Sequence, residues 1–273
     1  MSGANSVHCS AAAIAFDRVA DSYDDLFTRT AIGRAQRGQV WAELLQTFRE
    51  GDRILELNCG TGEDARFLAR HGRFVTACDA SAGMIEVAKS HSGSELASRS
   101  VQYLQIANEE LNRLSTNAPY DGVFSNFSGL NCVSDLSAFA ENAASLVRPG
   151  GRFLICLWSQ VCLTEIAWFL LHGEISKAFR RFSKESAARL GGLNIQIFYP
   201  SISHIKKSLS PWFRLEKRKA VGLFVPPSFV EPWAGRNEKM LNRLDKLDGV
   251  FAKWPILRNF GDHVLMEFVR CAK

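Results

Sequence analysis

The sequence lacks any concentrated block of basic residues. Its formal charge is only +5, from 33 Lys and Arg against 28 Asp and Glu, and the basic residues are spread along the chain. A dedicated nucleic-acid-binding protein usually carries a basic stripe, so we expect no nucleic-acid partner. With 47% hydrophobic and 22% charged residues, the composition is that of an ordinary globular protein with a sizeable core.

Metal-ligand and disulfide patterns are also missing. The seven cysteines are an odd number, and no pair has the spacing of zinc ligands, so no metal site is predicted. Several lie inside apolar runs, as free thiols of a reducing compartment often do: Cys78, Cys132, Cys156 and Cys271. The sequence shows no secretory signal pattern. We therefore expect a cytoplasmic protein.

The apolar run at residues 161–175 is too short for a transmembrane helix. A membrane-spanning helix needs about 20 apolar residues, and this run also contains Glu165, so no transmembrane segment is predicted. We expect a buried or capping helix here. The alternative is an interfacial helix followed by basic residues that contact anionic lipid, namely Arg180, Arg181 and Lys184.

Short apolar runs alternate with amphipathic patterns along the chain. Strands separated by helices form parallel βαβ units, with helices on both faces of the sheet. The predicted fold is therefore α/β, a Rossmann-like, doubly wound sheet of seven strands, mostly parallel with an antiparallel C-terminal edge strand. The predicted strands are 53–58, 74–79, 101–107, 121–126, 152–158, 213–225 and 263–271, and the predicted helices between them include 63–71, 82–91, 136–147 and 231–251.

A glycine-rich turn joins the first predicted strand to the first of these helices. It reads Glu56-Leu57-Asn58-Cys59-Gly60-Thr61-Gly62. Glycine has no Cβ and tolerates positive φ, so Gly60 and Gly62 allow a ligand to approach the backbone at a helix N-terminus. Glu56, at the strand end, can accept hydrogen bonds from a cationic amino group, directly or through water.

Acidic residues around this turn favour one kind of ligand. Asp79 ends the second strand and is placed to bind a ribose diol, since a carboxylate accepts both hydroxyl hydrogens. The same layout serves dinucleotides, because residues 60–65 also satisfy the G-x-G-x-x-A pattern. However, Glu56, Glu63 and Asp64 would repel a pyrophosphate, although the last two suit the helix dipole. A zwitterionic, sulfonium-bearing ligand therefore fits better.

Five sequence blocks carry a resemblance to a known family. They are FDRVADSYD at 16–24, ILELNCGTG at 54–62, CDASAGM at 78–84, YDGV at 120–123 and LVRPGG at 146–151. In this order they resemble the class I S-adenosylmethionine-dependent methyltransferases of the ubiquinone/menaquinone-biosynthesis type (type 11), over about residues 16–158. The resemblance implies an enzyme that takes a methyl group from S-adenosyl-L-methionine and releases S-adenosyl-L-homocysteine.

The resemblance also implies roles for individual positions. Glu56 and the turn would hold the methionine part of the donor, and Asp79 its ribose hydroxyls. Tyr23 would close over the donor; the alternative is a core tyrosine of the N-terminal helix. The full set of implied donor-binding residues is Tyr23, Glu56, Asn58, Cys59, Gly60, Gly62, Asp79, Ala80, Met84, Ala107, Asn108, Asn126 and Phe127.

Two positions depart from the family pattern. The family usually has glycine where this chain has Asn58, but asparagine is among the non-glycine residues most tolerant of positive φ. After the third strand the family usually has an acid that binds the adenine amine. Here that position is Ala107, followed by Asn108 and Glu109. Asn108 is the expected substitute, with backbone and water contacts as the alternative.

The domain organisation follows from these segments. We expect a single methyltransferase domain over residues 1–273, with an N-terminal helical segment over 14–50 and a cofactor-binding core over 51–158. Residues 159–210 would form a substrate-side insertion and a helix, and residues 211–273 the C-terminal strands and their helix. The insertion and the aromatic-rich tail are interpreted either as an apolar lid or as core packing.

Methyl transfer from a sulfonium requires no particular catalytic residue. Aligning the reacting atoms can supply much of the acceleration, and a general base helps only with a weakly acidic hydroxyl or a protonated amine. No catalytic residue is therefore assigned. The candidate bases are His172, His204 and His263.

The acceptor is expected to be a small, partly hydrophobic molecule. Asn131 follows the fourth strand and Trp158 ends the fifth, where ligands bind in open α/β sheets, so both are expected to line its pocket together with Tyr199. The alternatives are a non-catalytic S-adenosylmethionine-binding protein, a methyltransferase acting on a macromolecule, and a nicotinamide oxidoreductase. A monomer and a homodimer are both compatible with the sequence.

Overall fold

The computed structural model describes residues 10–93, 100–183 and 185–272. Their backbone forms a large sheet and a separate two-stranded hairpin. The strands are β1 (Arg53–Leu57), β2 (Phe74–Asp79), β3 (Val101–Gln105), β4 (Tyr120–Ser125), β5 (Val147–Trp158), β6 (Glu185–Leu190), β7 (Leu193–Phe198), β8 (Phe213–Val221) and β9 (His263–Arg270).

Helices precede, separate and follow these strands. The first begins at Ala11, ahead of the predicted boundary at residue 14, because the Ser10 side chain accepts a hydrogen bond from Ala13 N and caps it. A π-helical turn, Asp24–Thr28, follows it. The α-helices are α1 (Ala11–Tyr23), α2 (Ala31–Thr47), α3 (Glu63–Arg70), α4 (Ala82–Ser90), α5 (Leu136–Leu146), α6 (Leu163–Leu171), α7 (Ile175–Ala178), α8 (Ile202–Leu209), α9 (Glu231–Ala234) and α10 (Glu238–Phe251).

The large sheet has seven strands in the order β3-β2-β1-β4-β5-β9-β8. The first five are parallel to one another, whereas β9 runs antiparallel to both β5 and β8. The predicted mostly parallel, doubly wound α/β sheet with an antiparallel C-terminal strand is therefore confirmed. The last strand of the chain lies between β5 and the outermost strand, β8.

Alternating side chains of the central strands fill a core on each face of the sheet. In β4 and β5, Val123 and Phe153 point to the layer formed by α5 and α8, while Phe124 and Leu154 point to the layer formed by α2 and α3. This alternation follows from the period of two residues in a strand. Helices therefore cover both faces and leave the carboxyl ends of the parallel strands open for a site.

The hairpin of β6 and β7 packs on α1 instead of joining the large sheet. Gly191 and Gly192 form its turn with φ values of 55° and 79°, as a two-residue turn with positive φ at both positions requires. Gly191 O accepts a hydrogen bond from Arg18 Nη1 at 3.1 Å, and Ile195 and Ile197 pack with Ala15. The hairpin and α1 thus form one cover over the sheet edge.

A buried ion network joins α6 to the segment after α7 and to the residue before β9. Glu165 of α6 is 1% exposed and accepts hydrogen bonds from Arg180 Nε at 2.8 Å and from Arg181 Nη2 at 2.6 Å. Arg181 is itself buried and also reaches Asp262 Oδ1 at 2.6 Å. Arg181 therefore neutralises buried carboxylates and does not face lipid, and Lys184 lies outside the described residues. Within the described ranges, no helix is long and apolar enough to cross a membrane.

Candidate functional site

A cavity of about 300 Å³ opens at the carboxyl ends of β1, β2 and β4, under α1 and the hairpin. The strand order reverses between β1 and β4, which is where open α/β sheets bind ligands. Ten of the predicted donor-binding residues lie in its wall: Tyr23, Asn58, Cys59, Gly60, Asp79, Ala80, Met84, Asn108, Asn126 and Phe127.

The glycine-rich turn takes the left-handed conformation at three positions. The φ values are 56° at Asn58, 52° at Gly60 and 74° at Gly62. A Cβ on Gly62 would lie 2.7 Å from the Tyr103 ring, so a side chain is excluded there for steric as well as conformational reasons. Gly62 is the N-cap of α3 and is not in the cavity wall, so it shapes the turn from behind.

Asn58 keeps the glycine-like backbone through contacts of its own. Its Oδ1 accepts a hydrogen bond from Ser125 Oγ at 3.2 Å. A Cβ on Gly129 would lie 2.4 Å from the Asn58 Cβ, so the bare glycine at 129 makes room for this side chain. The interpretation that asparagine preserves the turn agrees with this geometry.

Asp79 is held in place by backbone amides. Its Oδ2 accepts a hydrogen bond from Gly60 N and its Oδ1 one from Ser81 N, each at 2.9 Å. Burial raises the pKa of Asp79 despite these hydrogen bonds, and no cation within the described ranges pairs with it. A carboxylate oxygen has more than one lone pair, so the oriented group can still accept hydrogen bonds from a diol.

Glu56 lies beneath the turn and outside the cavity wall. It is 2% exposed, and its Oε2 has no hydrogen-bond partner. Burial raises its pKa well above the usual range, and the neighbouring charge of Asp64 raises it further. An orphaned buried acceptor at this depth is what a bound water or ligand amino group would satisfy.

A buried ion pair in the wall was not predicted from the sequence. Arg37 Nη1 of α2 lies 2.7 Å from Asp64 Oδ2 of α3. Asp64 also accepts hydrogen bonds from Trp41 Nε1 at 2.6 Å and from Asn126 Nδ2 at 2.9 Å. The Arg37 guanidinium lies 4.8 Å from the centre of the Phe127 ring. The network fixes the end of β4 against the turn after β1.

Two aspartates of the N-terminal block, also missed as site residues, anchor the cover. Asp24 Oδ1 accepts a hydrogen bond from Thr61 Oγ1 at 2.6 Å. Asp17 Oδ1 accepts hydrogen bonds from Ser81 Oγ at 2.6 Å and from Gly83 N at 2.9 Å. The only sequence signal was their position inside the block at residues 16–24.

The backbone is strained directly after β4. Phe127 and Ser128 have φ values of 41° and 67°, which non-glycine residues rarely adopt. Asn126 Oδ1 accepts a hydrogen bond from Phe127 N at 2.9 Å, and Cys156 O accepts one from Ser128 N at 3.0 Å. Such strain persists where the surroundings enforce it, often at functional sites, and here it turns Phe127 into the cavity wall.

At the end of β3, the structure separates the predicted residues. Asn108 lies in the cavity wall together with Glu109, whereas Ala107 does not. An acid is thus present two residues beyond the family's usual position. Glu109 therefore places a carboxylate in the wall, close in sequence to residue 107.

The residues predicted to line the acceptor pocket lie behind the cavity. Asn131 is completely buried, donates through Nδ2 to Phe198 O at 2.6 Å and accepts from Trp158 N at 3.1 Å. The rings of Trp158 and Tyr199 are 6.1 Å apart. The structure brings these three residues together but not into the cavity wall, so contact with a substrate stays a prediction.

The candidate bases also lie outside the cavity wall. His172, directly after α6, and His204 of α8 are exposed and are not in the wall. His263 is 3% exposed, and its ring lies 5.3 Å from that of Phe127, but it is not in the cavity wall. The described residues contain no group of three or more His, Cys, Asp or Glu side chains that could hold a metal.

The residues present fit S-adenosylmethionine. The cavity wall provides an oriented carboxylate at Asp79 and the bare backbone of Gly60, where an added Cβ would approach only Tyr23, at 4.0 Å. Glu56 lies beneath this turn with an unpaired acceptor oxygen. Its volume of about 300 Å³ lies at the lower end of small-molecule sites. A methionine cation and a ribose diol would each meet a suitable acceptor.

Comparison with known proteins identifies the family. A methyltransferase-domain model matches residues 54–151. The chain is 32% identical over 176 residues to the demethylmenaquinone methyltransferase of Mycobacterium sp. strain KMS, covering 63% of this chain and 70% of the relative. It is 30% identical over 146 residues to that of Thermobifida fusca strain YX, covering 54% of this chain and 60% of the relative. The chain thus spans less than two thirds of the latter's length.

A solved structure repeats the fold. The S-adenosylmethionine-dependent methyltransferase from Mesorhizobium loti superposes with a TM-score of 0.54 at 16% identity, covering 89% of this chain and 99% of that one. The chain belongs to the class I S-adenosylmethionine-dependent methyltransferases of the ubiquinone/menaquinone-biosynthesis type. The family and the donor predicted from the sequence are therefore confirmed.

Proposed function

We propose that the protein transfers the methyl group of S-adenosylmethionine to a small, partly hydrophobic molecule in the cytoplasm. A ring of the demethylmenaquinone type is the first candidate acceptor. The observation that carries this proposal is the match to relatives named demethylmenaquinone methyltransferases. The apolar part of the cavity wall supports it, because Phe16, Phe127, Val133 and Phe198 offer an aromatic and aliphatic surface for such a ring.

The geometry of the wall supports a donor role for each of several residues. Asp79, whose oxygens are oriented by Gly60 N and Ser81 N, would accept the two ribose hydroxyls. Glu56 would accept a hydrogen bond from the donor's amino group through a water molecule, since it lies just outside the wall. Asn108 and Glu109 would accept hydrogen bonds from the adenine amine.

The protein accelerates the reaction mainly by positioning. When bound, S-adenosylmethionine supplies an electrophilic methyl group on its sulfonium. Tyr23 lies over Gly60 and excludes water from that end of the cavity, while Phe127 fixes the plane against which an acceptor ring can stack. Holding the reacting atoms in line can lower the barrier by about 7 to 11 kcal/mol, so no general base is assigned.

The experiment has a binding arm and a turnover arm. Calorimetry with S-adenosylhomocysteine and with NADH tests the donor site, using Asp79→Asn as the variant and Asp135→Asn, at the exposed N-cap of α5, as the matched control. We expect S-adenosylhomocysteine alone to bind, and the Asp79→Asn variant to lose at least about tenfold in affinity. Turnover is then measured with a reduced demethylmenaquinone analogue, small phenols, a protein mixture and total RNA.

Each outcome separates one alternative. Methylation of the quinol analogue or of small phenols supports the proposal, and methylation of only protein or RNA contradicts it. Donor binding without turnover on any acceptor favours a non-catalytic S-adenosylmethionine-binding protein. Binding of NADH in preference to S-adenosylhomocysteine contradicts the donor assignment itself.

A further inference from the structure

A second cavity, of about 230 Å³, lies between β8, β9, α2 and the segment that follows α10. It shares no residue with the cavity at the carboxyl ends of β1, β2 and β4, which we call the donor cavity. Most of the side chains in its wall are charged, and Leu154 and Leu265 are apolar. The charged members are Glu43, Glu216, Lys217, Arg218, Lys219, Lys253, Arg258 and Glu267.

The acids of this wall already have cationic partners. Glu43 Oε1 lies 3.2 Å from Lys219 Nζ and 2.9 Å from Lys253 Nζ. The two lysines outweigh the effect of burial and lower the pKa of Glu43. Glu43 is therefore already neutralised by two cations of the same wall.

The other two acids are engaged in the same way. Glu267 lies 3.0 Å from Arg152 Nη1 and 3.3 Å from Lys217 Nζ. Glu216 lies 2.7 Å from Arg214 Nη2. None of the three acids forms an ion pair with Arg218 or Arg258.

Arg218 and Arg258 remain as a pair of like charges. Neither makes a side-chain hydrogen bond or an ion pair within the described ranges, and the buried Nε of Arg258 has no partner. Partial burial lowers the pKa of Arg218, and the positive charge of Arg258 lowers it further. Two guanidinium groups that line one cavity and have no anionic partner there carry the hydrogen-bond donors that an oxyanion requires.

We propose that Arg218 and Arg258 bind a phosphate-type oxyanion in this second cavity. A guanidinium presents its N–H groups as a planar fork that matches two oxygens of a phosphate, so two of them can hold one group from two sides. The oxyanion belongs either to a soluble phosphorylated molecule or to a phospholipid headgroup. The headgroup source is considered because Trp254 and Ile256, just before Arg258, are 52% and 77% exposed.

The test uses the full chain and three substitutions. Arg218→Gln and Arg258→Gln each remove one fork, and Arg243→Gln on α10 is the matched control, because its side chain is exposed and lies outside the cavity wall. Calorimetry measures binding of inorganic phosphate. Flotation with phosphatidylglycerol vesicles, against phosphatidylcholine vesicles, tests the headgroup source.

We expect each of the two variants to weaken binding by at least about tenfold and the control to leave it unchanged. Binding of phosphate that depends on both arginines supports a soluble ligand. Flotation on phosphatidylglycerol alone, lost in both variants, supports a headgroup. Binding in neither arm, or binding unaffected by the substitutions, overturns the proposal.

Thermal unfolding gives a second readout that does not depend on ligand affinity. Because the pair repels when no anion is bound, Arg218→Gln should leave the melting temperature of the anion-free protein unchanged or raise it. Addition of phosphate should raise the melting temperature of the natural sequence and not that of the variant. A clear drop in the anion-free variant would show that Arg218 has an internal partner and would contradict the proposal.

Discussion

Two of the buried arginines, Arg37 and Arg181, differ in what surrounds them. Arg37 lies in the wall of the donor cavity, paired with Asp64, which has two neutral donors besides. Arg181 is enclosed between Glu165 and Asp262. A buried charge left without its partner is costly, so the position of each partner decides whether an arginine maintains the fold or the site.

Replacement of Arg181 should have the largest effect on stability. Arg181→Met leaves Asp262 without its cation and Glu165 with only Arg180, so we expect a loss of about 3 to 5 kcal/mol in the free energy of unfolding. Urea denaturation measures it. Arg180→Gln is the control on the same carboxylate, because its side chain is 43% exposed and a partly exposed pair contributes about 1 kcal/mol or less. Equal losses in the two variants would contradict the comparison.

His263 should make the stability of the folded protein depend on pH. Burial lowers its pKa to about 4, and its Nδ1, 3.4 Å from Asp262 Oδ2, makes no hydrogen bond. Since the unfolded chain takes up this proton near pH 6.5 and the folded chain only near pH 4, stability falls as the pH is lowered through this range. We expect the free energy of unfolding to decrease by about 3 kcal/mol over this range because of His263.

The His263→Phe variant isolates this effect. Asp248 acts in the opposite direction, because burial raises its pKa to about 6 and stability therefore falls as the pH rises from 4 to 6. The quantity to measure is therefore the difference in the free energy of unfolding between the natural sequence and the variant. Asp248 is present in both proteins, so its effect cancels. Urea unfolding at pH 4.5, 5.5 and 7 should show the difference shrinking or reversing as the pH falls. A difference independent of pH would contradict the assignment.

Replacement of Arg37 should affect the ligand more than the fold. In Arg37→Met, Asp64 keeps hydrogen bonds from Trp41 and Asn126, so we expect a loss of about 2 kcal/mol, smaller than for Arg181. Because Arg37 also stacks on Phe127 in the cavity wall, affinity for S-adenosylhomocysteine should fall by at least about tenfold. Calorimetry and urea unfolding of the same variant test both parts. A stability loss as large as that of Arg181→Met would show that Arg37 is as important for the fold as Arg181, and would contradict the comparison.

The sequence predicted strands β1 to β5, whose ends carry the donor site, in more detail than the part of the chain that follows them. Strands β1 to β5 carry buried residues in continuous or alternating runs and end in turns with local signals. Strand β6 has the sequence ESAARL, with little β-branched or aromatic content, and neither the strand nor its hairpin was predicted, although a Gly-Gly pair is typical of such a turn.

The same limit applies to the site. Turn and strand-end residues such as Gly60 and Asp79 could be predicted because their function depends on local geometry. The pairing of Arg37 with Asp64 depends on how α2 packs on α3, and no periodicity in the sequence indicates which polar side chain is buried. Asn131 was expected in the acceptor pocket for its place in the chain, but its amide joins β5 to the hairpin.

Asn58 should show the smallest effect, because the turn already has the conformation that glycine adopts. We expect Asn58→Gly to change the free energy of unfolding by less than about 1 kcal/mol and the affinity for S-adenosylhomocysteine by less than about threefold. Gly129→Ala is the matched test, since its Cβ would meet Asn58 at 2.4 Å. It should cost about 1 to 3 kcal/mol in the natural sequence and much less when combined with Asn58→Gly. Urea unfolding of the four proteins measures this coupling. Additive losses would show that Asn58 and Gly129 are not matched, and a gain of affinity above tenfold in Asn58→Gly would show that the side chain obstructs the donor.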